Sequence, residues 1–218
     1  YSFKDYEGNP TQINIQMDAQ EFLARFIEKI EDSIKNTSQK YLFNNIFGGS
    51  TLQQVKCTNP ECGNISERRE NIHFLSLDIK NASNVKECLN NFIKKEKIED
   101  YHCEKCDKRG INLKHLLIKN MPNLLIIYLQ RITFDYETFQ MKKINKEISF
   151  DKYLNINNYT IDRDNKEKDI KNYEYELIGI IAHSGDARGG HYISYLCSPD
   201  ENNKNIWYKF NDTKVSKT

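Results

Sequence analysis

The sequence predicts an α+β fold, on three observations. Two segments, 18–35 and 84–94, space their apolar residues as one face of a helix. From Thr51 onward most of the chain breaks into short, partly alternating apolar runs, the pattern of strands. Four of the six cysteines fall into two close pairs, Cys57-x4-Cys62 and Cys103-x2-Cys106, beside those runs.

The 218 residues suffice for one large domain or two small ones. The 32 Lys and Arg balance 31 Asp and Glu, a net charge of +1, which argues against a nucleic-acid partner because phosphate binding needs a cationic surplus. No run approaches the ~20 apolar residues of a membrane span, and no signal-peptide pattern opens the chain. Tyr1 in place of an initiator Met reads as a fragment boundary.

Along the chain, Ala19, Phe22, Leu23, Phe26, Ile27, Ile30 and Ile34 define the buried face of the first helix, and Asp18 with Glu21 reads as a capping pair. Residues 36–51 read as a polar connection ending at Gly48-Gly49. Residues 52–55 and 66–80 are strand-like. In the second helix Val85, Cys88, Leu89 and Phe92 share a face, which makes Cys88 a core residue. Runs 113–119 and 124–130 are strands split by Met121-Pro122-Asn123, the second apolar throughout as if buried on both faces. Residues 155–174 read as a polar, mobile insertion, and 175–181, 191–197 and 206–210 as the last three strands.

Two cysteine knuckles can point four thiolates at one ion, and a tetrahedral sulfur shell prefers zinc. Cys57, Cys62, Cys103 and Cys106 are therefore candidate ligands of a structural zinc, with His102 flanking the second pair. The other reading is four reduced thiols.

The second constellation lies near the C-terminus. If 191–197 and 206–210 form a hairpin, Cys197 opposes Ile206 and His191 opposes Asp212, give or take one residue. Asn211 or Asp212 then reaches the imidazole and orients it, as a catalytic base requires; a strand histidine with a satisfied ring is the alternative. Gly189 and Gly190 permit a close backbone approach to a ligand. No cysteine suits as a nucleophile: Cys197 is ~20 Å along the strand from His191 and reads as core.

These residues resemble the ubiquitin-specific protease family of cysteine deubiquitinases. Gln16–Leu23 (QMDAQEFL) is similar to the family's QQDAQEFL box, and the cysteine pairs to its zinc ribbon. Leu124–Arg131 (LLIIYLQR) resembles its L-x-L-x-L-x-R-F strand, Gly179–Tyr195 its G-x-x-x-H-x-G-x-x-x-x-G-H-Y box, and Trp207–Val215 (WYKFNDTKV) its W-x-x-F-D/N-D-x-x-V box. The five occur in the family's order.

The resemblance implies a papain-like cysteine protease fold of thumb, zinc-ribbon fingers and antiparallel β palm, lacking the N-terminal part of the thumb. It makes 1–218 a single catalytic domain, with a thumb remnant over 1–50, fingers over 51–120 and palm over 121–218. It implies His191 as general base, Asn211 as third member of the triad and Asp212 as a supporting acid. Asp18, Gly189, Gly190 and Tyr192 fall on the substrate side, with Asp18 meeting the Arg-bearing tail of ubiquitin and loops 184–190 and 133–141 bordering it. His183 matches the box histidine, structural or tail-adjacent. Ubiquitin and ubiquitinated proteins are the implied partners, and an intracellular setting, cytoplasm or nucleus, the implied location.

Three departures stand out. Ile132 replaces the family Phe, the first cysteine spacer is four residues long, and the cysteine box with the nucleophile is not among these residues. The nucleophile is expected upstream. The alternatives are a catalytically inactive ubiquitin-binding module and a zinc-stabilised interaction domain without ubiquitin contact.

Overall fold

Asp18 starts the first helix, α1 (Ala19–Ile34), because its extended backbone lets its carboxylate accept from the N–H groups of Gln20 and Glu21. Glu21 does not reciprocate that cap; it accepts from Arg25 at 2.6 Å, one turn on. Of the predicted apolar face Ile27 is fully buried, while Phe22 and Phe26 stack on each other and remain partly exposed. The computed structural model describes residues 18–161 and 172–218; the first two residues of the QMDAQEFL box and half of the predicted insertion, 162–171, lie outside them.

A short helix, α2 (Leu42–Phe47), occupies the stretch read as a polar connection. Phe43 and Phe47 stack at 5.9 Å on its i, i+4 face. Strand β1 (Gly49–Cys57) then leads to the first cysteine, and β2 (Ile65–Ile72) returns antiparallel to it. The run 66–80 is thus two strands, not one: β2 turns at His73 into β3 (Leu75–Asp78), which joins a different sheet.

Helix α3 (Val85–Phe92) forms as its periodicity predicts, capped by Asn84 through Glu87 N–H. Strand β4 (Glu96–Cys103) reaches the second cysteine pair, and β5 (Lys108–Asn120) runs back, giving an antiparallel sheet in the order β2-β1-β5-β4. The apolar run 124–130 yields only a short strand, β6 (Ile127–Gln130), parallel to β3 and half-buried rather than buried on both faces. Arg131, which ends it, donates to the carbonyls of Ile144 and Lys146 at 3.1 and 2.8 Å.

A hairpin of β7 (Ile132–Asp135) and β8 (Gln140–Lys143) follows, then β9 (Tyr153–Asn155) paired with β10 (Glu174–Glu176). Between these two the described ends of the predicted mobile insertion are anchored, since Ile156, Tyr159, Thr160 and Tyr173 are buried. The predicted strand 175–181 is interrupted, its first part in β10 and its last in β11 (Gly179–Asp186). With β12 (Gly189–Pro199), β13 (Asn205–Asn211) and an additional strand, β14 (Lys214–Lys217), β11 forms a meander.

One apolar cluster joins these parts. Leu75, Leu77 and Ile79 of the β3 region pack with Val85, Cys88 and Leu89 of α3 and with Ile118, Met121 and Ile148. Each fully buried Leu or Ile there contributes roughly 1.5–3 kcal/mol relative to exposure. Cys88 is core as predicted, at 1% exposure. Cys197 is not: it is half-buried on β12, opposite Trp207. No helix among the described residues is long and apolar enough to cross a membrane.

Candidate active site

The last sheet brings the predicted polar residues together. Strands β12 and β13 pair with Cys197 opposite Trp207 and Ser194 opposite Phe210, one residue from the predicted register. The ladder stops there, and beyond it the two strand ends carry His191 and Asn211 toward each other. His191 Nε2 lies 2.5 Å from Asn211 Oδ1. An amide oxygen only accepts, so Nε2 carries the proton and Nδ1 presents its lone pair. In that tautomer Nδ1 can accept a proton. Asp212, the predicted opposite residue, is farther away, its Oδ2 4.0 Å from the same nitrogen and largely exposed. It sits at φ 51° in the two-residue turn that joins β13 to β14, where Asn211 opposes Lys214.

The glycines before His191 differ in what they allow. A Cβ on Gly190 would lie 2.0 Å from Ser184 O and 2.4 Å from His183 Nε2, so the close approach it permits is to its own sheet rather than to a ligand. A Cβ on Gly189 would meet nothing within 4 Å.

Tyr192, read as substrate-facing, points its hydroxyl inward, where it accepts from the Ala19 N–H at 3.3 Å. Its ring rests on His183, centroids 4.6 Å apart. Lys143 reaches His183 from β8, donating to Nδ1 at 3.0 Å and to the carbonyls of His183 and Gly185 at 2.9 and 3.1 Å. Burial and the Lys143 charge push the His183 imidazole below its usual range, so it stays neutral beside an ammonium.

Asp18 faces this region from the start of α1. Its Oδ1 caps the helix, and its Oδ2 accepts from the Tyr128 hydroxyl at 3.3 Å. Between the β7–β8 hairpin and the β11–β12 turn lies an open cleft of about 200 Å³, lined by Gln140–Lys143, Asn145 and Asp186–Arg188.

The second constellation is at the far end of the first sheet. Cys57 closes β1, Cys103 closes β4, and Cys62 and Cys106 stand in the turns that follow. The four sulfurs lie within 4.8 Å of one another, with Cys57–Cys106 and Cys62–Cys103 both at 3.9 Å. The turns are alike although their spacers differ: the residue after the second cysteine, Gly63 or Asp107, has φ near +55°. Backbone N–H groups two residues on, at Asn59, Asn64 and Lys108, point at Cys57, Cys62 and Cys106. The Lys108 N–H draws the Cys106 thiol down to about 7.

Four thiolates this close repel unless a cation lies among them, so the donor set fits a tetrahedral soft metal. His102 is not in the cluster; its ring nitrogen pairs with Asp107 at 2.7 Å. The spacing of the cysteines anticipated the cluster, whereas nothing in the spacing announced the N–H groups that flank it.

The chain matches the family model described as ubiquitin carboxyl-terminal hydrolase over residues 4–218. It is 35% identical over 225 residues to the Drosophila melanogaster protein named "Probable ubiquitin carboxyl-terminal hydrolase FAF", covering 96% of this chain and 8% of that protein. It is 32% identical over 234 residues to human ubiquitin carboxyl-terminal hydrolase 9Y, covering 96% and 9%. The chain thus spans under a tenth of the length of these curated relatives. Among solved structures, one described as the SAGA Ubp8/Sgf11/Sus1/Sgf73 DUB module bound to ubiquitin aldehyde superposes with a TM-score of 0.79 at 33% identity, over 94% of this chain and 46% of that one. The chain thus shares the fold of that structure, and its own architecture is mixed α+β with antiparallel sheets and a cluster of four cysteines.

Proposed function

The chain belongs to the ubiquitin carboxyl-terminal hydrolase family, and on that premise we propose that it supplies the base and substrate-facing parts of a thiol-dependent deubiquitinase. The observation that carries the reading is the 2.5 Å contact between His191 Nε2 and Asn211 Oδ1. It leaves Nδ1 to take the proton of a cysteine thiol. The thiolate attacks the carbonyl carbon of ubiquitin's terminal Gly, the C–N bond after it breaks, and the imidazolium returns the proton to the leaving amine. Water, deprotonated by the same nitrogen, then attacks the acyl carbon, the C–S bond breaks, and the imidazolium returns that proton to the departing thiolate. Asn211 holds the ring throughout, and Asp212 lies 4.0 Å from the same nitrogen.

The nucleophile lies outside these 218 residues. Four cysteines form the cluster, Cys88 is sealed in the core, and Cys197 is ~20 Å along β12 from His191. Asp18 meets the basic tail of ubiquitin, and the β7–β8 and β11–β12 hairpins flank its path. Cys57, Cys62, Cys103 and Cys106 hold a structural zinc, which stiffens the sheet end and leaves no open position for chemistry. In this reading residues 1–50 belong to a thumb, 51–120 to fingers and 121–218 to a palm, and the protein works inside the cell, where thiols stay reduced.

The test is adduct formation with a ubiquitin bearing a C-terminal electrophile. The longer protein, including the upstream segment, forms the adduct, and His191→Ala does not. No adduct with ubiquitin still binding would leave an inactive binding module; no binding would leave an interaction domain. Hydrolysis by the 218 residues alone would show that the nucleophile is among them. Purified protein carries about one zinc per chain, and a content below about 0.3 would remove the metal from the reading.

A further inference from the structure

Two phenols from distant parts of the chain hold the start of α1. Tyr128 donates to Asp18 Oδ2, and Tyr192 accepts from the Ala19 N–H, each at 3.3 Å. Asp18 Oδ1 is engaged by the Gln20 and Glu21 N–H groups. A carboxylate offers about four lone-pair sites, so the cap and the phenol, which take three, leave about one, on Oδ2, for a guanidinium or ammonium. Burial, then the Asp18 charge, pushes the Tyr128 phenol up to about 12, so it remains a donor at neutral pH. Tyr192 is braced in turn by His183, which Lys143 fastens to β8. Tyr128 stands at an unspecified position of the L-x-L-x-L-x-R-F pattern, so its bond to Asp18 is not part of that motif.

We infer that Tyr128 is a positioning residue for substrate recognition: its hydroxyl fixes the plane of the Asp18 carboxylate, while Tyr192 fixes the helix end that carries it, so that the acid meets a cationic peptide tail already oriented. The inference rests on the proposed role of Asp18 as the tail contact. A carboxylate held in place before the substrate arrives loses less freedom on binding, and that gain is expressed in KM rather than in the chemical step.

The experiment measures ubiquitin–fluorophore hydrolysis by the longer protein with Tyr128→Phe, Asp18→Asn and both. Asn caps a helix as well as Asp, so Asp18→Asn removes charge without removing the cap. Tyr128→Phe raises KM about 3–10-fold at unchanged kcat; Asp18→Asn raises it further; in the Asp18→Asn background Tyr128→Phe adds less than about 2-fold. An equal rise in both backgrounds, or a fall in kcat, overturns the inference by showing a general structural role. An unchanged KM in Tyr128→Phe beside a raised KM in Asp18→Asn overturns it while the tail contact stands. An unchanged KM in Asp18→Asn defeats the tail contact itself. Should Tyr128→Phe fold poorly, Tyr192→Phe reads the same coupling from the other tie, with a smaller rise in KM that is likewise lost in the Asp18→Asn background.

Discussion

The sheet that ends in the four cysteines and the sheet that carries His191 each have four antiparallel strands, yet different forces hold them. In the first, β1 pairs with β5 across more than fifty residues of intervening chain, and Leu52, Val55, Leu117 and Ile118 are buried along it. In the second, each strand pairs with the next in sequence, and no described residue of β11 to β14 is fully buried. Long-range pairing carries a closure entropy that short hairpins largely avoid, and a metal held by the four cysteines would offset it at the far end. Consecutive hairpins carry little of it, so the second sheet keeps its geometry through turns and polar contacts. The candidate catalytic pair, His191 and Asn211, thus sits in the sheet with no fully buried residue among those described.

Chelation, or Cys103→Ser, should produce the largest effect, because structural zinc is worth on the order of 10 kcal/mol in small domains. Hydrogen exchange should then show protection lost along β1, β4 and β5 and kept in β11 to β14; loss in both sheets would break the comparison. His191→Ala should lower kcat by about 10³-fold or more, and Asn211→Ala by about 10²-fold, with zinc content and thermal midpoint unmoved. A lowered zinc content in either variant would show the two sheets to be coupled.

Gly190→Ala forces a methyl onto Ser184 O and His183. It should cost roughly 2–3 kcal/mol by denaturant titration and reduce activity, again at constant zinc. The smallest effect is at the helix cap: Asp18→Ala should cost about 1 kcal/mol and Asp18→Asn only a few tenths, read from thermal midpoints.

Much of this arrangement was legible in the residues. Helices α1 and α3 announce themselves by period, and the cysteine cluster by spacing alone. Counting across one hairpin put His191 opposite Asp212 with Asn211 or Asp212 in reach, and only the family resemblance singled out Asn211; the observed register is off by one residue, and the ladder opens after Ser194 and Phe210, where His191 meets Asn211. Other features left no local trace. Helix α2 is six residues long, and β14 is exposed throughout, so neither shows a period. The break at His73 that sends β2 and β3 to different sheets is decided by tertiary pairing. The bond between Tyr128 and Asp18 joins positions 110 apart, a distance over which spacing carries no signal.

Strand β5 gives the molecule a mechanical character as well. Its 13 residues run from the cysteine turn, where Lys108 pairs with Cys103, to Asn120 beside the buried Met121. At ~3.3 Å per residue it is a cantilever of ~40 Å, so a tilt of about 5° at its root would sweep the cysteine end through roughly 4 Å. A partner gripping the tip would therefore feel small rearrangements at the root as large displacements, and a metal held by the four cysteines would supply the stiffness that makes such leverage usable.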